Sequence, residues 1–208
     1  PLVDDIARDG LLDHRIPRVA GKIALLPGSR SMEIRHLLPT MVHAVERLDP
    51  GAVSEAVLVE APGMGRIVDA VLAEIGGGEH IRRVSGPDRR VELASSVLAW
   101  TASGTATLEC ALLDVPMVVG YRLQPLSFAV AKALVRVPHV ALVNLIAGER
   151  AVPELIQGDW NSDRLAAMSR DLLAGESEPQ LAALARVRQR LGPPGASLQA
   201  AEAVLEYV

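Results

Sequence analysis

Apolar residues along this chain gather into two kinds of run, and the two alternate. Short apolar runs at residues 21–26 (GKIALL), 56–59 (AVLV), 97–100 (VLAW) and 117–119 (MVV) read as strands, and so does the short segment 81–84 (IRRV). Between them stand longer stretches at helical spacing. In the first, Met32, Ile34, Leu37, Leu38, Met41, Val42 and Val45 carry an apolar face to about Leu48. Residues 67–75, 89–95 and 106–113 are further helices. Three strands run into small-residue bends: Pro27-Gly28-Ser29-Arg30, Ala61-Pro62-Gly63-Met64-Gly65 and Ala102-Ser103-Gly104-Thr105. Strand, turn, helix, strand, repeated, predicts an α/β fold. Its Rossmann-like parallel sheet is flanked by helices and collects its loops at the strands' carboxyl ends.

The flanks are less regular. Residues 1–20 have mixed charge and prolines at 1 and 17, which suggests a linker holding a single helical turn. Residues 126–137 set Phe128, Val130, Ala131, Leu134 and Val135 on one surface, with Lys132 and Arg136 on the other. Such a basic amphipathic helix suits an anionic membrane surface and equally a partner domain. Residues 139–146 (HVALVNLI) read as a strand with Asn144 as its polar interior residue; that amide must either satisfy a loop backbone or reach a ligand. Residues 152–157 read as the start of a helix, and residues 163–174, 179–191 and 196–207 as three more. The expected division is a linker at 1–20, a Rossmann-like domain at 21–158 and carboxyl-terminal helices at 159–208.

With 208 residues, half of them hydrophobic, the chain can bury a substantial core. A net charge of −4 and few aromatic residues argue against nucleic acid as a partner. The single cysteine, Cys110, excludes an internal disulfide and a cysteine-based zinc cage; within its helix it reads as a small buried hydrophobe. No apolar run reaches the roughly 18 residues of a membrane span. The chain begins at Pro1 rather than Met, which suggests an intracellular piece of something longer. The five histidines are scattered, and no metal or cofactor motif is present, so neither a metal nor a cofactor is expected.

Candidate chemistry lies in two of the bends. The first turn of the helix after Ser103-Gly104-Thr105 has free N–H groups and a partial positive charge, which suits a phosphate. Gly104 allows close approach, while Ser103 and Thr105 offer hydroxyls. Glu109, one turn beyond Thr105 on the same face, can accept hydrogen bonds from sugar hydroxyls. The competing reading is a capped helix with a solvated Glu. In the other bend, after Gly28 and Ser29, Arg30 supplies a cation able to bind phosphate oxygens in pairs. The helix dipole makes a cation slightly unfavourable there, which hints at a bound anion; a plain surface Arg is the alternative. Gly63-Met64-Gly65-Arg66-Ile67-Val68 imitates a dinucleotide fingerprint, but Val68 stands where the third glycine belongs, so it reads as an ordinary loop. Arg82, Arg83, Arg89 and Arg90 form a basic cluster with a solvated face as its default reading.

Taken together, LLPGSRSMEIRHLLPTM, ASGTATLECALLDVPMVVGYR, PLSFAVAKALVRVPHVALVNLIAG and VPELIQ resemble the carboxyl-terminal half of the lipid-A-disaccharide synthase family, collinearly from Pro1 to the last helix. The resemblance implies the donor-binding half of an inverting GT-B glycosyltransferase of lipid A biosynthesis. Its reaction would join UDP-2,3-diacylglucosamine to 2,3-diacylglucosamine 1-phosphate, giving the disaccharide phosphate and UDP. By similarity, Arg30 and the Ser103-Gly104-Thr105 turn hold the diphosphate and Glu109 the ribose. Asn144 lies beside the donor, and Tyr121 and Arg122 line the same cleft. Arg30 and helix-terminal N–H groups would offset charge on the departing UDP. The acceptor site and catalytic carboxylate would belong to a missing amino-terminal domain, so the chain alone is expected to bind UDP weakly and transfer nothing. The resemblance also implies peripheral attachment to the cytoplasmic face of the inner membrane and a homodimer swapped through the last helices. Two rivals stay open. Another GT-B UDP-sugar transferase, such as the one that adds N-acetylglucosamine to the peptidoglycan lipid, shares the glycine turn and the ribose Glu, but PGSR and VNLIAG are not expected in it. A non-catalytic nucleotide-binding module is the second, against which the intact Arg30, Glu109 and Asn144 argue.

Overall fold

The computed structural model describes residues 1–13, 16–124, 128 and 138–205. Six parallel strands form its sheet: β1 (Lys22–Leu26), β2 (Glu55–Val59), β3 (Arg82–Val84), β4 (Leu98–Ala102), β5 (Met117–Tyr121) and β6 (Glu154–Ile156). Their order is β3-β2-β1-β4-β5-β6. The chain therefore reverses its direction of travel across the sheet between β1 and β4. At such a switch point the loops diverge and leave a crevice outside the carboxyl ends of the strands.

β1 and β4 are buried along their whole length, as expected of strands covered on both faces. Ile23, Leu25, Leu98, Trp100 and Val118 point to one face, where α2 (Ser31–Val45), α3 (Gly65–Ile75) and α7 (Ser162–Leu173) pack. Ala24, Leu26, Ala99, Met117 and Val119 point to the other. That face is covered by α1 (Leu2–Arg8), α4 (Arg89–Ala94), α5 (Thr105–Leu112), α6 (Leu142–Ala147) and α8 (Glu178–Leu191). Two polar contacts pin the outer helices to the sheet. The Trp100 indole N–H donates to Ser169 Oγ at 2.8 Å, joining β4 to α7. The Gln180 amide of α8 meets the N–H and C=O of Met117 at the start of β5.

Three segments differ from the sequence reading. The opening residues form the seven-residue helix α1, with Ile6 fully buried, instead of a linker with one turn. Arg18 then donates to Ser96 O, Leu113 O and Asp114 O at 3.1, 2.7 and 2.8 Å, and also to Ala94 O, satisfying carbonyls that α4 and α5 leave unpaired at their ends. Residues 139–146, expected to be a strand, contain helix α6, which stops at Gly148 in the left-handed region (φ 69°). Residues 152–157, expected to start a helix, instead contain edge strand β6, with Pro153 just before it where a missing N–H does no harm. The carboxyl-terminal helices α7 and α8 share the two cores of the sheet, whereas α9 (Ala196–Leu205) buries no side chain. The amphipathic reading of residues 126–137 falls outside the described residues except at position 128. Among the described residues, no helix is long and apolar enough to cross a membrane.

Candidate functional site

Two adjoining cavities open at the carboxyl end of the sheet, over the switch point. The first, of about 330 Å³, is bounded by the loops after β1, β2 and β4, and its lining includes Gly28, Ser29, Arg30, Ser103, Gly104, Thr105 and Glu109. The second, of about 440 Å³, shares Arg30, Glu33, Ala102 and Ser103 with the first and extends to Tyr121 at the end of β5 and Arg122 just after it. The fold thus gathers nine of the ten candidate residues at one opening. Asn144 is the exception.

The loop after β1 is shaped by Glu33, a residue the sequence reading did not single out. From the first turn of α2 its carboxylate reaches back to accept from Ser29 N–H at 3.1 Å and from Arg30 Nη1 at 2.8 Å. The arrangement resembles a capping box. Gly28 (φ 116°) makes room for it, because a Cβ there would stand 2.3 Å from Glu33 Oε2. Arg30, the N-cap residue of α2, is largely exposed and has its charge balanced by Glu33. An anion is therefore not required to explain a cation at this helix start. The Glu33 contact uses one of the guanidinium's five N–H donors, so capacity for phosphate oxygens remains.

The loop after β4 is fixed from below. Thr107 Oγ1 donates to Gly104 O at 2.7 Å and accepts from Val143 N–H at 3.3 Å. Ser103 Oγ donates to Val140 O at 2.5 Å, so its hydroxyl proton is committed to the fold. Gly104, the N-cap of α5, sits at φ 143° and ψ −157°, a region reserved for glycine, and a Cβ added there would meet nothing within 4 Å. The space over the first turn of α5 is thus open to a ligand, and the turn's unpaired N–H groups make it suited to an anion.

Glu109 lies farther along α5 with its side chain 14% exposed, facing two arginines of α4: Arg90 Nε at 3.2 Å and Arg89 Nη2 at 3.7 Å. Burial disfavours the Arg90 charge, but its hydrogen bond to Asp9 and the field of Glu109 outweigh that and raise its pKa. The basic cluster read as solvated is therefore divided. Arg89 and Arg90 line the cavity, while Arg82 pairs with Glu55 and Glu92, and Arg83 with Glu60 and Asp69, all apart from the cavity lining. A signal for this was available: α4 follows β3, so its first turn faces the same edge as the other strand-to-helix loops.

Asn144 is fully buried and lines neither cavity. Its amide donates to Val152 O at 2.9 Å and to Glu154 Oε1 at 2.8 Å, and accepts from Val152 N–H at 2.9 Å. Glu154 in turn accepts from Val140 and Ala141 N–H at the start of α6. Of the two alternatives open for this residue, the fold realises backbone satisfaction. Cys110 is buried as expected, with its thiol pKa pushed well up, chiefly by burial. Among the described residues no cluster of three or more His, Cys, Asp or Glu is placed to hold a metal.

The family profile described as lipid-A-disaccharide synthetase matches residues 5–201. This chain belongs to the lipid-A-disaccharide synthase family. The family's Anaeromyxobacter sp. (strain K) enzyme is 44% identical over 195 residues, covering 91% of this chain and 50% of the relative. The Myxococcus xanthus enzyme is 42% identical over 194 residues, with the same coverage. The chain thus spans about half the length of the curated relatives it matches. Among solved structures, the spinosyn rhamnosyltransferase SpnG aligns with a TM-score of 0.57 at 16% identity, over 89% of this chain and 46% of that one. Anabaena HepE in complex with UDP-glucose aligns at 0.52 and 12% identity, over 90% and 46%. At such low identity these likenesses establish the fold alone: the sheet and its flanking helices fit the carboxyl-terminal half of a GT-B glycosyltransferase.

Proposed function

We propose that this member of the lipid-A-disaccharide synthase family is the half that binds the nucleotide-sugar donor, UDP-2,3-diacylglucosamine. The acceptor, 2,3-diacylglucosamine 1-phosphate, is met by groups from the remainder of the longer relatives. The observation that carries this reading is the convergence of Arg30, the Gly104 turn and Glu109 on one cavity at the switch point of the sheet. An uncovered helix N-terminus with a guanidinium beside it suits a diphosphate. A carboxylate about one helical turn away suits a vicinal diol. In the transfer step those same donors stabilise the charge gathering on the departing UDP, which is how this half lowers the barrier. The chain alone then binds UDP without transferring sugar. Both substrates carry acyl chains, so the working enzyme is peripheral at the cytoplasmic face of the inner membrane.

Calorimetric titration with UDP tests the proposal. Saturable binding is expected, weakened at least about tenfold by Arg30→Ala and by Glu109→Ala, each tenfold being about 1.4 kcal/mol. No binding at millimolar UDP, or binding indifferent to both substitutions, would overturn it.

A further inference from the structure

We propose that Arg90 is a positioning residue for the Glu109 carboxylate, held in turn by Asp9 of the opening segment; this rests on the reading of the cavity as a UDP site. Arg90 Nε donates to Glu109 Oε1 at 3.2 Å and Arg90 Nη1 to Asp9 Oδ2 at 2.6 Å. The nearest approach of each arginine to Glu109 is to the same oxygen, since Arg89 Nη2 comes to 3.7 Å from Oε1. The hydrogen bond from Arg90 falls on Oε1, which leaves Oε2 to act as an acceptor. A guanidinium is rigid and planar, so fixing Nη1 on one carboxylate and Nε on another sets the orientation of both. The Arg90 side chain is only 15% exposed and the Glu109 side chain 14%, so water competes weakly with these contacts. Three elements meet in one chain of contacts: Asp9 at the end of α1, Arg90 in the first turn of α4 and Glu109 on α5. Asp9 does not line the cavity, so its influence on a ligand passes through Arg90. The consequence is specific to the sugar diol. Without the clamp the carboxylate remains but samples several rotamers, and recognition of the diol suffers more than that of the phosphates.

The test compares UDP, 2′,3′-dideoxy-UDP and inorganic pyrophosphate on the whole 208-residue chain. The unaltered chain should prefer UDP over the dideoxy compound by about tenfold, as expected for a hydrogen bond to a charged group. Arg90→Gln should reduce that preference to within about twofold and weaken UDP by a larger factor than it weakens pyrophosphate. Asp9→Asn should reduce it in the same direction by a smaller factor, and Arg90→Lys, which lacks the fork, should not restore it. Should Arg90→Gln not fold, Asp9→Asn and Arg90→Lys carry the comparison. A full tenfold preference in the Arg90 and Asp9 variants would overturn the inference, as would equal binding of UDP and the dideoxy compound by the unaltered chain. Absence of any UDP binding would instead remove the donor-site reading beneath it.

Discussion

The Asn144 side-chain amide donates to Glu154 Oε1 at 2.8 Å, and this contact ties α6 to the edge strand β6. Through Glu154 it reaches the N–H groups of Val140 and Ala141, and through Val140 O the hydroxyl of Ser103 beside the cavity. Asn144→Ala removes three hydrogen bonds and leaves Val152 N–H and C=O buried without partners. A loss of about 3 kcal/mol in unfolding free energy is expected, read from the urea midpoint. UDP affinity, measured where the variant is still folded, should fall by less than about threefold, on the order of 0.6 kcal/mol. A residue touching the donor would show the reverse: intact stability and a large loss of affinity.

Gly104→Ala separates ligand approach from folding. The backbone at φ 143° resists any side chain, which costs about 1–3 kcal/mol of stability. The added methyl meets no protein atom within 4 Å, so overpacking adds nothing to that cost. The same methyl stands over the helix N-terminus, where the diphosphate is proposed to lie. UDP affinity should therefore drop by more than about tenfold, beyond what the unfolded fraction explains, in calorimetry against the unaltered chain.

Acid should loosen the tie between α4 and the sheet at Glu92. Hydrogen bonds from Arg82, and then from Lys22, hold its carboxyl down to about 2 from an ordinary value of 4.5. A depressed carboxyl pKa means the unfolded chain binds more protons, so the stabilisation is complete above about pH 4.5 and drains away as pH falls toward 2. Lys22 is buried and depends on this partner. Glu92→Gln should thus cost on the order of 2–3 kcal/mol at neutral pH, and the gap to the unaltered protein should narrow below pH 4.5. Denaturation midpoints at pH 7, 5 and 3.5 measure it; a gap that is constant across that range would refute the assignment.

Much of this architecture is legible in the chain because fully buried parallel strands leave short apolar runs, and the bends at their ends are rich in glycine. β1, β2, β4 and β5 all lie within a residue or two of where the runs place them. The failures cluster where packing overrides pattern. HVALVNLI is apolar at nearly every position, so no period distinguishes a strand from a helix buried on most sides. The glycine at 148, which ends α6, was the available cue. Glu154-Leu155-Ile156 is too short to show alternation, and it is a strand because β5 offers it an edge. At the candidate site, Arg30 and the Gly104 turn are visible because each belongs to a glycine-bearing bend that follows an apolar run. Arg89, Arg90 and Glu33 were missed because their roles depend on partners set by the fold: Glu109 and Asp9 for the arginine pair, and the backbone of Ser29 for Glu33.

Between Leu173 and Glu178 the chain passes from one face of the sheet to the other, leaving α7 on the side of Trp100 and α8 on the side of Met117. The two helices embrace the sheet from opposite sides, held to Trp100 through Ser169 on one side and to Met117 through Gln180 on the other. A piece ending after β6 would lay bare an apolar strip on both surfaces at once. Leu191 still packs on the core beneath α8, whereas Ala196–Leu205 buries no side chain and is tied on through the Asp4 carboxylate, which accepts from the N–H and hydroxyl of Ser197.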